Sequence, residues 1–271
     1  MQLLEIVVSL VNPELIHRCV EKLTLNPQIV CLPTVDSTND EAKRLIASGR
    51  RAELLILADT QTHGRGRYNR TWHSPEGGLY LSLTLRPILH FDSIPLHSIL
   101  CACAIAKALQ NMGVDEVELK WPNDVLIAER KVAGILSELI SIGPDEHLIV
   151  LGIGINQNTP LNLLPEDIRY STTSILEHLG RTTSREKLLC DLLTLIDFRL
   201  QATRSSSSFD MVLDEWRQKN ATLGSKIRVD DGSMTYIGIA KEILPDGSLL
   251  VHTDDGDITL CTGDLTHLCQ D

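Results

Sequence analysis

What this sequence lacks narrows its function before anything it contains. It has no long run of Lys or Arg, and 36 acidic residues against 25 basic ones leave a net charge of −11. That balance argues against general nucleic-acid binding. No Cys-x-x-Cys pair occurs among the seven cysteines. Their odd number, with Cys101 and Cys103 two apart in an apolar helical stretch, predicts buried, reduced thiols in a cytosolic protein rather than a disulfide framework. The amino terminus, Met-Gln-Leu-Leu-Glu-Ile-Val-Val, lacks the positive start and the small-residue cleavage site of a secretion signal. No apolar stretch reaches the length of a membrane span. The expected location is the cytoplasm, with no membrane contact. A Ser-His-Asp pattern, metal-ligand spacing among the nine histidines, and an internal repeat are also missing.

What is present suits an ordinary globular chain. With 271 residues, 43% of them hydrophobic, the sequence can build one sizeable domain and a small second one. Residues 1–30 read as a short lead-in, helical or mixed, with a break at Pro33. Thr38 and Glu41 fit a capping box that opens a helix, and Gly49 stops it. Strands are expected at Leu54–Ala58, Leu79–Leu85, Val117–Leu119, Val125–Ala128, Val132–Ile140 and Leu148–Ile155, the third- and second-last of these forming a hairpin. Helices are expected at His97–Met112, Thr173–Leu179, Arg185–Ala202 and Phe209–Asn220, with the Ser205–Ser208 run separating the last two. Beyond Gly224 the texture changes. Asp231-Gly232, Asp246-Gly247 and Asp255-Gly256 punctuate short β-prone runs, the pattern of antiparallel hairpins. The fold class is therefore α+β: a mixed sheet with helices over 1–222, and a small antiparallel barrel over 223–271.

Four segments carry chemistry. Gln61-Thr-His-Gly-Arg-Gly-Arg-Tyr-Asn-Arg-Thr-Trp72 follows a buried strand and sets Arg65, Arg67 and Arg70 among Gly64 and Gly66. Glycine lets backbone approach a ligand, and arginine offers a permanently charged fork to phosphate or carboxylate. Against an acidic background this knot predicts a small anionic guest, although a solvated basic loop has the same composition. Lys120-Trp121-Pro122-Asn123-Asp124 puts a lysine at a strand end beside a turn, where it would meet a ligand or simply close the strand. Gly152-Ile-Gly-Ile-Asn156 lacks the third glycine and the following helix of a dinucleotide fingerprint, so it reads as a strand with close packing. Ser37-Thr38-Asn39 is an N-cap whether or not it also binds something.

Taken together, Asp36-Ser-Thr-Asn39, Gln61 with Gly64-Arg-Gly-Arg67, Trp72, Lys120-Trp-Pro-Asn-Asp124, Lys131-Val-Ala-Gly-Ile-Leu-Ser-Glu138 and Gly152-Ile-Gly-Ile-Asn156 resemble, in order and spacing, the catalytic domain of the biotin protein ligases. The resemblance runs from about Val30 to the carboxyl terminus. It implies a class II synthetase-like biotin–lipoate ligase domain followed by an SH3-like barrel. With 36 residues before Ser37, it also implies the monofunctional type without an amino-terminal DNA-binding module. Tyr68-Asn69 departs from the Arg-Gly of some relatives, which changes the backbone freedom expected there.

The resemblance further implies that biotin and ATP give biotinoyl-5′-adenylate, which a lysine of the biotin carboxyl carrier protein of acetyl-CoA carboxylase then attacks. Arg65, Arg67, Arg70 and Lys120 would stabilise the anionic transition state. Ser37, Thr38, Asn39, Gln61, Gly64, Arg65, Gly66, Arg67, Lys120 and Gly134 would receive biotin. Arg67, Arg70, Trp72, Asn123, Lys131 and Asn156 would receive ATP or the adenylate, with Trp72 stacking on adenine. Mg²⁺ would arrive with ATP rather than in a protein cage. A homodimer is compatible with the sequence, which does not fix the oligomeric state. A lipoate or octanoate ligase of the same fold, or a biotin-sensing repressor, are the alternatives; no DNA partner is expected.

Overall fold

The computed structural model describes residues 12–50, 53–87 and 94–268. The first eleven residues of the lead-in, the amino-terminal octapeptide among them, and Cys269 lie outside them. Asn12 caps the first helix, α1 (Pro13–Val20), by accepting from Glu14 N at 3.0 Å, with proline in the first turn where its missing N–H costs nothing. Strand β1 (Gln28–Val35), helix α2 (Thr38–Ala47) and strand β2 (Leu54–Gln61) form a β-α-β unit with parallel strands. β3 (Leu79–Leu85), helix α3 (Ile94–Asn111), β4 (Val117–Lys120), β5 (Asp124–Ile127), β6 (Arg130–Ser141) and β7 (His147–Ile155) follow. The seven strands make one sheet in the order β1-β2-β3-β7-β6-β5-β4, antiparallel beyond the first pair.

Alternation along the strands divides the sheet into two faces. Leu55 and Leu57 of β2, Leu79 to Leu85 at odd positions of β3, and Ile149, Leu151, Ile153 and Ile155 of β7 enter the main core. Over that face lies α3, apolar over most of its surface and largely buried, packed against α6 (Arg185–Ser206) and α7 (Asp210–Lys219). The opposite face has a small apolar patch beneath α2, made by Ala42, Ile46, Leu54, Ile56, Leu148 and Val150. Along β7 this face then turns from Val150 to Gly152 and Gly154, across from Ser82 and Tyr80 on one side and Leu136 and Gly134 on the other. Loss of side chains there opens room on the sheet.

After β7 come two short helices, α4 (Glu166–Arg169) and α5 (Ile175–Leu179), and then α6 and α7. The chain ends in a separate antiparallel sheet: β8 (Lys226–Asp230), β9 (Thr235–Ile243), β10 (Leu249–Thr253), β11 (Gly256–Leu260) and β12 (Asp264–His267), in the order β11-β10-β9-β8-β12. This arrangement is consistent with an SH3-like domain. The three Asp-Gly pairs sit at its three hairpin turns, and Asp231 accepts from Ser233 N and Met234 N, both at 2.8 Å, as an Asx turn should.

Three local expectations need correction. The lead-in ends in a strand, β1, with Pro33 inside it; β1 is an edge strand, where a missing donor is tolerated. α6 runs four residues past Ala202, to Ser206; the break before α7 falls within the serine run as expected, where Ser207 at φ 52 closes the helix. β12 was not foreseen because four residues with a single apolar side chain, Leu265, carry too little periodicity. The six described cysteines are all free thiols, Cys101 and Cys103 buried as expected but Cys261 exposed. Among the described residues no helix is long and apolar enough to cross a membrane, and no cluster of three or more His, Cys, Asp or Glu could hold a metal ion.

Candidate functional site

The polar face of the sheet and the inner edge of the carboxyl-terminal sheet enclose an open cleft of about 940 Å³. Its wall includes Ser37, Thr38, Asn39, Gln61, Arg65, Gly66, Arg67, Arg70, Trp72, Lys120, Asn123, Lys131, Gly134 and Asn156, together with residues from Gly263 to Leu268, so segments from both ends of the described chain meet here. Gly64 stands just behind the wall: a Cβ there would lie 2.3 Å from the Trp72 carbonyl oxygen.

One end of the cleft is a chain of hydrogen bonds. Ser37 caps α2 by accepting from Asp40 N, which leaves Thr38 and Asn39 buried in the first turn and aimed at the sheet. Gln61 Oε1 accepts from Thr38 N at 2.8 Å, and Gln61 Nε2 donates to Ser74 Oγ at 2.8 Å. Ser82, fully buried on β3, places its hydroxyl 2.8 Å from Thr38 Oγ1 and 2.6 Å from Asn39 Oδ1. Gly152 makes room for this: a Cβ on it would lie 2.2 Å from Asn39 Oδ1. The amide of Asn39 is thus committed to the protein, and Thr38 faces the space that remains.

The middle of the floor is Trp72. Its indole lies on Gly154 and Gly134, whose added Cβ atoms would fall 2.4 Å and 3.1 Å from it, and Lys131 Nζ sits 5.4 Å above the ring. The Gly-x-Gly of β7 thus serves close packing, as read from the sequence, with Asn39 and Trp72 as the two guests. The indole N–H has no partner among the described residues. Lys131 pairs with Asp124 at 2.6 Å, Asn123 Nδ2 donates to Ile135 O at 2.6 Å, and Asn156 Nδ2 donates to Thr173 O at 3.1 Å.

The arginines, one positive knot in the sequence, are separated in space, and two of the three are paired with carboxylates. Arg65 turns toward Asp40 and Glu138, at 2.7 Å and 3.2 Å. Arg67 donates to Gly263 O at 3.1 Å and to Thr262 Oγ1, and Arg70 forms a two-pronged pair with Asp264, Nη1 to Oδ1 at 2.9 Å. Both are therefore tied to the carboxyl-terminal sheet. The turn between them places Tyr68 at φ 52 and Asn69 at φ 58, in the left-handed region that costs a residue with a Cβ more than it costs glycine. Lys120 differs from all of these. It ends β4 opposite Asp124, lines the cleft and makes no hydrogen bond or ion pair with a described residue. Burial lowers its pKa; Asp124 and Asp264 oppose this, while Lys131 adds to it. His267, on the facing β12, is also pushed down, by burial and then by Lys120, and its Nε2 is buried without a partner.

Sequence reasoning missed Ser82, Glu138, Asp40, Thr262, Asp264 and His267. Glu138 closes one of the quoted segments but was assigned nothing; the others have no local signal, since each acts through a neighbour distant in sequence.

A glycine-floored cleft with an unpaired ammonium, walled by a polar chain at one end and cations at the other, has the lining that a small anionic ligand would need. The family model of the biotin/lipoate A/B protein ligases matches residues 31–156. Biotin–[acetyl-CoA-carboxylase] ligase of Paracoccus denitrificans is 33% identical over 228 residues, 83% of this chain and 94% of that one. Bifunctional ligase/repressor BirA of Bacillus subtilis (strain 168) is 30% identical over 232 residues, 85% of this chain and 71% of the relative. Among solved structures, biotin protein ligase from Aquifex aeolicus in complex with biotin and ATP matches with a TM-score of 0.76 at 31% identity, over 90% of this chain and 99% of that chain. The chain belongs to the biotin/lipoate A/B protein ligase family.

Proposed function

We propose that this protein activates biotin with ATP as biotinoyl-5′-adenylate, releasing pyrophosphate, and transfers the biotinoyl group to a lysine of biotin carboxyl carrier protein. The observation that carries the reading is the pairing, in one cleft, of the Ser37–Thr38–Gln61 polar end with the unpartnered ammonium of Lys120. A ureido ring needs both donors and acceptors, which the first supplies. A carboxylate attacking an α-phosphate brings two anions together, which the second screens. Trp72 offers a face for adenine, with Lys131, Asn123 and Asn156 around it. Arg67 and Arg70 would exchange Thr262, Gly263 and Asp264 for phosphate oxygens as the loop closes, keeping water from the mixed anhydride. Mg²⁺ would enter bound to ATP and retain much of its water. In the transfer step the carrier amine attacks the acyl carbon, AMP leaves and an amide remains.

The purified protein, given radiolabelled biotin, MgATP and the carrier domain, is expected to release pyrophosphate and label one carrier lysine. Excess lipoate or octanoate should not compete. Labelling that lipoate or octanoate abolishes would move the assignment to the lipoate branch, and no ATP-dependent labelling with any of these acids would overturn it.

A further inference from the structure

At the stem of the glycine-arginine loop, four charged side chains and an amide close on one another. Glu138 of β6 accepts from Lys43 Nζ at 2.7 Å, from Asn39 Nδ2 at 2.8 Å and from Arg65 Nη1 at 3.3 Å. Arg65 Nη1 also donates to Asp40 Oδ1 at 2.7 Å, and Lys43 Nζ reaches the same oxygen at 3.5 Å. The cluster holds two cations and two carboxylates and is neutral as a unit. A guanidinium whose fork already spans two carboxylates has little field left for a phosphate. Its position is more telling than its charge. Arg65 sits in the stem of a narrow hairpin, where Trp72 N donates to Gly64 O at 2.8 Å and Gly66 N to Arg70 O at 2.7 Å. Glu138 also grips Asn39, which leads through Ser82 to Thr38. One carboxylate therefore ties together the two segments, remote in sequence, that form the polar end of the cleft.

We propose that Glu138, with Asp40, is a positioning clamp for the ureido end of the substrate: by fixing Arg65 it presets the Gly64–Gly66 backbone against Thr38, so that the polar end receives the ring already ordered. This rests on the reading of the cleft as a biotin site. The glycines that let backbone approach a ligand also make the loop costly to order, and the clamp meets that cost before binding. Without it the competent fraction falls, and the apparent dissociation constant rises by the inverse of that fraction. Arg65 acts through geometry here and needs no contact with the reacting atoms.

The test is calorimetric titration of biotin into the full-length protein without ATP, for wild type, Glu138→Gln, Arg65→Lys and the double variant, each with a thermal melt. Arg65→Lys keeps the charge but loses the fork. Each single change is expected to weaken biotin about tenfold, and the double change little more than either alone, because both disable one contact. The KM for ATP should stay within about twofold, which a general loosening of the fold would not spare. Should Glu138→Gln melt far below wild type, Asp40→Asn replaces it in the cycle. Wild-type affinity in Arg65→Lys, or a double variant weakened by the product of the single effects, overturns the clamp. A wild-type protein that shows no biotin binding overturns the functional reading instead.

Discussion

Lys120 is distinguished from the arginines of the cleft by what surrounds it. Arg65 and Arg70 are met by Asp40, Glu138 and Asp264, and Arg67 by the neutral oxygens of Thr262 and Gly263, whereas the ammonium of Lys120 meets no described acceptor and is partly stripped of water. Such a group gains most when an anion arrives, so its stabilisation is realised in the reaction rather than in the resting protein. Lys120→Ala should lower adenylate formation on the order of 10²–10³-fold, by comparison with the loss of a single preorganised donor elsewhere. Near-normal pyrophosphate release from the folded variant would return Lys120 to the plain role of ending a strand. The pH dependence follows from the same burial. Because the charged form is disfavoured, the ammonium is lost as pH rises through a value below the ordinary 10.5. The groups bearing on it are Asp124, Lys131, Asp264 and His267. The alkaline limb of kcat/KM is therefore expected below pH 10.5 in wild type and absent in Lys120→Arg, whose charge persists. A limb unchanged in the arginine variant would assign it to another group.

Strand β7 shows how one element can serve two faces. Its odd positions, from Ile149 to Ile155, build the main core, while its even positions pass from Leu148 and Val150 to Gly152 and Gly154. The second half of that face is left open by removing side chains, and Asn39 and Trp72 occupy the room. Gly154→Ala places a methyl group 2.4 Å from the Trp72 indole, too near to be absorbed without moving the ring. Overpacking of this kind costs about 1–3 kcal/mol. Because the displaced ring is the one proposed to face adenine, the KM for ATP should rise about tenfold while biotin affinity changes little. Equal losses for both substrates, measured by titration and by initial rates, would show that the substitution disrupts the sheet rather than the nucleotide end.

At the scale of the whole molecule the two sheets share one core. Ile227, Val229, Ala240, Leu249, Val251 and Leu265 belong to the same buried cluster as α3 and Trp121. The indole of Trp121 donates to Gly247 O at 3.1 Å, and the turn at Gly247 rests on Leu96 and Ile99 of α3. Asp264, Thr262 and Gly263 then reach across to the arginine loop. Removing residues 224–271 should therefore uncover Trp121 and the end of α3 and abolish a cooperative thermal transition, as buried apolar surface lost on this scale outweighs ordinary marginal stability. A sharp melt from the truncated chain would mean that the carboxyl-terminal sheet is a separable appendage.

Much of this was legible without coordinates. Period-two runs and capped helices located most elements because strand and helix periodicity are local properties, and the Asp-Gly pairs marked every hairpin turn of the second sheet. The motif segments, through their resemblance to a family, named much of the part of the cleft wall that lies on the main sheet, but not the part contributed by residues 164–172 or by the carboxyl-terminal sheet. Local chemistry could not say which charges remain free. Arg65, Arg67 and Arg70 look alike in sequence, and only the fold brings Asp40 and Glu138 to the first and Gly263 and Asp264 to the others, while leaving Lys120 unpaired. Edge strand β1 was missed because a proline is acceptable only where no neighbour needs its N–H, which is a fact about sheet order. Residue type and spacing determined the elements and the kind of ligand; long-range pairing decided the electrostatics, because a charge is defined by the neighbours that the fold supplies.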